Sequence, residues 1–235
     1  MASEARSQTG ATLQFGGEEV RSDRTYPAAY AIKPLEQQAA ILRQWFPSLG
    51  SGNAVAAAAL PAGAEGWFVI PRWQALAGSY NAAVEQALAI LSRTRDASLS
   101  RLDRLGPDRL RQHDRTVAMF EKLRGDTPDG LLVAPAQFGL RHRGRSIRHA
   151  RELFTDTEVG LGVFAVACML LTHPERLVQP DQLYVDCAGD EYSSSDEPQF
   201  SEAPFFRFID GRIGFGTSWI GYVDSYFGSA TAFVP

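Results

Sequence analysis

Apolar positions recur along this chain at two spacings, and the spacing predicts most of its elements. Between residues 34 and 47, Leu35, Ala39, Leu42 and the Trp45–Phe46 pair share one face of a helix. Pro34 suits its first turn and Pro47 stops it. Val84, Leu88 and Leu91 repeat the pattern behind an N-cap at Ser79 or Asn81. A third helix is predicted from Pro107, with Asp108 in its first turn, an inner face of Leu110, Val117, Phe120 and Leu123, and Gly125 as its cap. The run 160–171 is apolar on every side, which predicts a buried central helix.

Shorter runs read as strands. They are 67–70 between Gly66 and Pro71, 131–134 closed by Pro135, 183–187, 205–209, 212–215 and 230–234. Asp210-Gly211 between two of them is the sequence of a type I′ hairpin turn. Residues 48–66 read as a Gly/Ala-rich connector and 188–203 as a long acidic loop. Helices fill the first two thirds and strands the last third, so the expected class is α+β, packed on the central apolar helix. A single domain over 25–235 is expected behind a flexible tail, 1–24, that is polar and aperiodic.

Composition narrows the function classes. The 235 residues are 45% hydrophobic and 21% charged, an ordinary globular balance. A net charge of −4 excludes a molecule that binds polyanions over its whole surface, so any phosphate affinity must be local. Only Lys33 and Lys122 are lysines, and this arginine usage, with the many alanines and glycines, suggests a bacterial coding sequence. Cys168 and Cys187 make neither a disulfide framework nor a zinc knuckle. The N-terminus has no signal-peptide pattern, and the longest apolar run is too short to span a bilayer. The expectation is a cytoplasmic protein with no membrane partner.

Candidate chemistry gathers at 141–151, where five arginines and two histidines surround one glycine and one serine. A helix starting near Ser146 offers free N–H groups and a positive dipole end, and Gly144 allows close approach of an anion. Arg141, His142, Arg143, Arg145, Arg148 and Arg151 are therefore candidate nucleic-acid contacts. Pairing of the same arginines with the acidic segment 186–202 is the competing reading. Cys187 lies beside Asp186, Asp190 and Glu191, which weakens it as a nucleophile, and His142 and His149 lack the spacing of a helical metal pair. No catalytic residue and no metal site is assigned.

The strand at Val133-Ala134-Pro135, followed by Arg141-His142-Arg143-Gly144-Arg145-Ser146-Ile147, resembles the strand and pyrophosphate loop of GCN5-related N-acyltransferases. That resemblance implies cofactor contacts at Arg141, Arg143, Gly144, Arg145 and Ser146, made to the pyrophosphate of acyl-coenzyme A. The expected function is binding of nucleic acid or of a phosphate-bearing small molecule. The alternative is an acyl-coenzyme A dependent N-acyltransferase, or another nucleotide-cofactor enzyme, using the same loop.

Overall fold

The computed structural model describes residues 17–51, 56, 59–95, 97–99, 105–122, 130–197 and 199–234. The chain opens with α1 (Leu35–Trp45), β1 (Gly66–Pro71), α2 (Tyr80–Arg95), β2 (Ser98–Leu99), β3 (Leu110–Gln112) and α3 (Asp114–Lys122). Then come β4 (Leu131–Gln137), α4 (Ile147–Leu153), β5 (Glu158–Gly160) and α5 (Val163–Thr172). It closes with β6 (Val185–Asp186), β7 (Asp190–Tyr192), β8 (Glu202–Ile209), β9 (Arg212–Trp219) and β10 (Thr231–Phe233). This is an α+β fold. One antiparallel sheet has the order β1-β4-β10-β5, and the other runs β2-β9-β8-β7-β3 with β6 beside β8. Its β2–β9 pair is parallel and its other pairs are antiparallel.

All of α5 is buried. It packs on β1, α1 and α2, and α2 in turn touches β2 and β3, so apolar packing continues from one sheet to the other through the two helices. The helix starts later than the apolar run does. Glu158–Gly160 is strand, paired with β10, and the helix begins after Gly162. A distant side chain sets that boundary, because Asp190 Oδ2 accepts from Val163 N at 2.7 Å. Gly160 is needed as glycine, since a Cβ there would lie 2.5 Å from the Ala188 carbonyl carbon.

The third predicted helix divides in two. Leu110 belongs to β3 opposite Tyr192, and α3 starts only at Asp114; Leu123 and Gly125 lie outside the described residues. Asn81 Nδ2 donates to the Leu110 carbonyl at 2.9 Å, holding that segment against α2. Pro135 does not end its strand: β4 continues to Gln137, with Pro135 opposite Trp67, while β10 reaches only Ala136 and Gln137. The predicted acidic loop contains β7, where Tyr192 and Asp190 are buried and Glu191 faces Arg111 at 2.8 Å. The 210–211 turn forms as read, with φ of 52° at Asp210 and 79° at Gly211. Of the predicted tail, residues 17–24 lie along the loop before α4, where Val20 N donates to the Gly144 carbonyl at 2.7 Å.

Candidate functional site

Ser146 caps α4 as its sequence suggests, accepting from His149 N at 3.1 Å. The loop before it is closed by the chain itself. Gly144 N donates to Phe227 O at 2.8 Å, Ser146 N to Glu18 O at 2.9 Å and Arg148 N to Ile220 O at 2.9 Å. Gly144 has φ of 75°, and a Cβ on it would sit 2.1 Å from Val20 O. The close approach that glycine permits here is therefore an approach of the segment 18–22.

Each arginine of the stretch has a protein partner. Arg141 Nε lies 3.1 Å from both oxygens of Glu158, whose Oε1 also meets His142 Nε2 at 2.8 Å and Thr231 Oγ1 at 2.9 Å. Burial works to raise the Glu158 pKa, but its bonds to His142 and Thr231 and the charge of Arg141 outweigh it and hold the carboxylate below its usual value. Arg143 donates to Arg24 O at 3.1 Å, and Arg145 lies 3.0 Å from Glu19. Arg148 pairs with Glu18, whose pKa that hydrogen bond lowers. Arg151 donates to the carbonyls of Ala188 (2.9 Å) and Asp190 (2.8 Å) and lies 3.9 Å from Glu191. Glu18, Glu19 and Glu158, outside the 186–202 segment, thus hold most of these side chains.

Arg148 and Arg151 also line a cleft of about 310 Å³, which the other arginines of the stretch do not. The N-terminal end of α3 supplies His113, Arg115 and Thr116, α4 supplies Glu152, and Gly160 and Ala188 complete this part of its lining. Arg115 is braced by the Thr155 carbonyl and, at 2.8 Å, by that of Glu158. His113 Nδ1 accepts from Arg115 N at 3.2 Å, which makes Nε2 the protonated nitrogen of a neutral ring. Burial, followed by the charge of Arg151, lowers the His113 pKa.

Comparison of the chain with protein-family models, curated proteins and solved structures gives no match.

Behind the cleft lie two buried carboxyls. Burial pushes Asp190 up to about 7, with the hydrogen bonds from Tyr80 (2.6 Å) and Val163 N opposing it. Burial pushes Asp186 up to about 8, against the charge of Arg151. Burial thus favours the protonated form of both carboxyls and lessens the negative charge behind Arg151, leaving Glu191, 3.9 Å away, as its acidic neighbour. Asp190 Oδ1 has no hydrogen-bond partner among the described residues. Cys187 and Cys168 are buried free thiols with raised pKa values, poor nucleophiles as the sequence suggests. Among the described residues no group of His, Cys, Asp and Glu could hold a metal, and no helix is long and apolar enough to cross a membrane.

Sequence reading missed His113 and Arg115. The signal was present as the run Arg111-Gln112-His113-Asp114-Arg115, but alternating charge on a helix usually marks a solvated face. Only the fold, which seats α3 on β5, brings these residues to the cleft that Arg148 and Arg151 line.

Proposed function

We propose that this protein binds a phosphate-bearing ligand in the cleft between α3 and α4. The observation that carries the reading is the convergence of Arg115, Arg148 and Arg151 on one concavity, with Glu152 as the acidic side chain on its lining. Arg115 and Arg151 are fixed by backbone carbonyls and Arg148 by Glu18, so the forks are ordered before the ligand arrives and little side-chain entropy is lost on binding. The raised pKa values of Asp186 and Asp190 behind Arg151 support the same reading, because they lessen the negative charge there and leave Glu191 as its acidic neighbour.

The pyrophosphate loop of an N-acyltransferase would need free amides at 144–148. Those of Gly144, Ser146 and Arg148 donate to protein carbonyls, which favours the cleft over the loop as the phosphate position. Calorimetric titration with inorganic pyrophosphate tests the proposal. Saturable one-to-one binding is expected, weakened about tenfold in Arg115→Gln and in Arg148→Gln, as loss of one charge-assisted contact implies. Both variants should melt close to the parent, because a partly exposed ion pair contributes about 0–1 kcal/mol. Absence of binding, or affinity unchanged from the parent in both variants, would refute the reading.

A further inference from the structure

Beside the cleft stands an indole with no structural role to match its size. Trp219, at the end of β9, is 53% exposed, although a tryptophan ring is among the most stabilising groups to bury. Its position is nevertheless well defined. The next residue, Ile220, lines the cleft, accepts from Arg148 N at 2.9 Å and donates to Ser201 O at 3.0 Å. The Arg148 guanidinium carbon lies 5.2 Å from the indole centroid, a cation–π distance. Gly221 closes against the ring edge, since a Cβ there would stand 2.5 Å from the indole and 2.8 Å from an Arg148 nitrogen. Tyr222, 48% exposed, follows in the same turn, its N–H donating to Trp219 O at 2.9 Å. One arginine thus touches both a wall of the anion cleft and a fixed, open aromatic face.

From this juxtaposition we infer that the ligand carries a nucleobase, which stacks on Trp219 while its phosphate enters the cleft across Arg148. The inference rests on the phosphate reading and adds the chemical class. A flat ring on an exposed indole, next to a positive groove, is how proteins hold unpaired nucleotides. A bare phosphate, or a phosphate on an aliphatic carrier, would leave the indole unused. Two sources share this chemistry, a free nucleotide and a single strand of nucleic acid, and length dependence separates them.

The test measures affinity of the full chain for inorganic tripolyphosphate, AMP and a single-stranded adenine octanucleotide. Trp219→Leu should weaken AMP and the octanucleotide by about tenfold or more, the scale of one lost base stack, and leave tripolyphosphate unchanged. Trp219→Phe keeps a stacking face, so it should retain affinity while abolishing the quenching of tryptophan emission that AMP causes in the parent. This second variant carries the test if the leucine variant does not fold. Octanucleotide binding much tighter than AMP assigns a strand, and equal binding assigns a free nucleotide. If all three probes bind and neither variant changes AMP affinity or quenching, the base-stacking inference falls and the phosphate site stands. If tripolyphosphate itself does not bind, both fall. A parent that sediments as a dimer, and becomes monomeric in Trp219→Leu, would also overturn the inference by giving the ring to an interface between copies.

Discussion

Asp190 is the residue whose substitution tests the buried side of the site most directly. Its carboxyl is raised from 3.8 to about 7 by burial, despite hydrogen bonds from Tyr80 and Val163 N. A group whose folded pKa lies above its unfolded value contributes stability that is complete below the unfolded value and is lost as pH rises through the folded one. For this carboxyl the loss runs at up to about 1.4 kcal/mol per pH unit between about pH 4 and about pH 7. Asp190→Asn has nearly the same shape, keeps an oxygen for Tyr80 Oη and Val163 N, and cannot ionise. Its NH2 would stand where Oδ1 stands, without a partner among the described residues, and that defect costs about 1–3 kcal/mol at any pH. The fixed cost cancels when two pH values are compared. Urea unfolding followed by circular dichroism at pH 5 and pH 8.5 should therefore show the variant gaining about 2–3 kcal/mol on the parent between them. The parent retains the same tendency from Asp186, raised to about 8, so its remaining alkaline loss should persist in the variant. Stability curves that run parallel, or a variant that loses ground with rising pH, would mean that Asp190 is ionised and paired in the fold.

Other outcomes follow from the same geometry. Sulfate stays fully ionised between pH 6.5 and pH 8.5, so its affinity for the cleft, read by calorimetry, should fall over about that interval as Asp190 and Asp186 ionise behind Arg151; a flat profile would separate the carboxyls from the site. Arg141→Gln removes one partner of the buried Glu158 and should cost about 2–3 kcal/mol, whereas Arg143→Gln, which loses a bond to a carbonyl at the surface, should cost less than about 1 kcal/mol. Equal losses in urea unfolding would put the Glu158 network among the dispensable contacts. Gly211→Val meets open space but must hold φ near 79°, so it should cost about 1–2 kcal/mol from the backbone alone, and no loss would refute the turn's need for glycine.

Elements whose cause is local were legible in the sequence. The Ala39–Leu42 part of the α1 face, the Ser79 start of α2, the Asp210-Gly211 turn and the buried character of α5 all follow from spacing or from one residue's backbone freedom, whereas Trp45, expected on that α1 face, is exposed and Gln38 is buried in its place. Elements whose cause is distant were not. The start of α5 depends on Asp190, 27 residues further along the chain, and no cap lies in the sequence just before Val163. β3 carries only one apolar residue, Leu110, and exists because β7 pairs with it. β7 was hidden for a related reason. Asp190 and Glu191 read as solvated charge, yet Asp190 is buried on Tyr80 while Glu191 is covered by Arg111.

The arginine stretch marks the limit more sharply. Five cations in eleven residues announce that something negative is close, and the spacing says nothing about whether it is a ligand, a carboxylate or a carbonyl dipole. Arg141, Arg143 and Arg145 turn to Glu158, to the Arg24 carbonyl and to Glu19, partners 17, 119 and 126 positions away by residue number. Arg148 and Arg151, one turn apart on α4, line the cleft with Arg115 of α3, and Arg148 pairs with Glu18 as well. The three loop arginines fasten Glu158 and the segment 18–24, while the two on the seven-residue α4 line the cleft, Arg148 also holding Glu18 of that segment. Candidate anion chemistry therefore belongs to the latter pair, and the density of arginines in the sequence overstates the site because most of them act as fasteners.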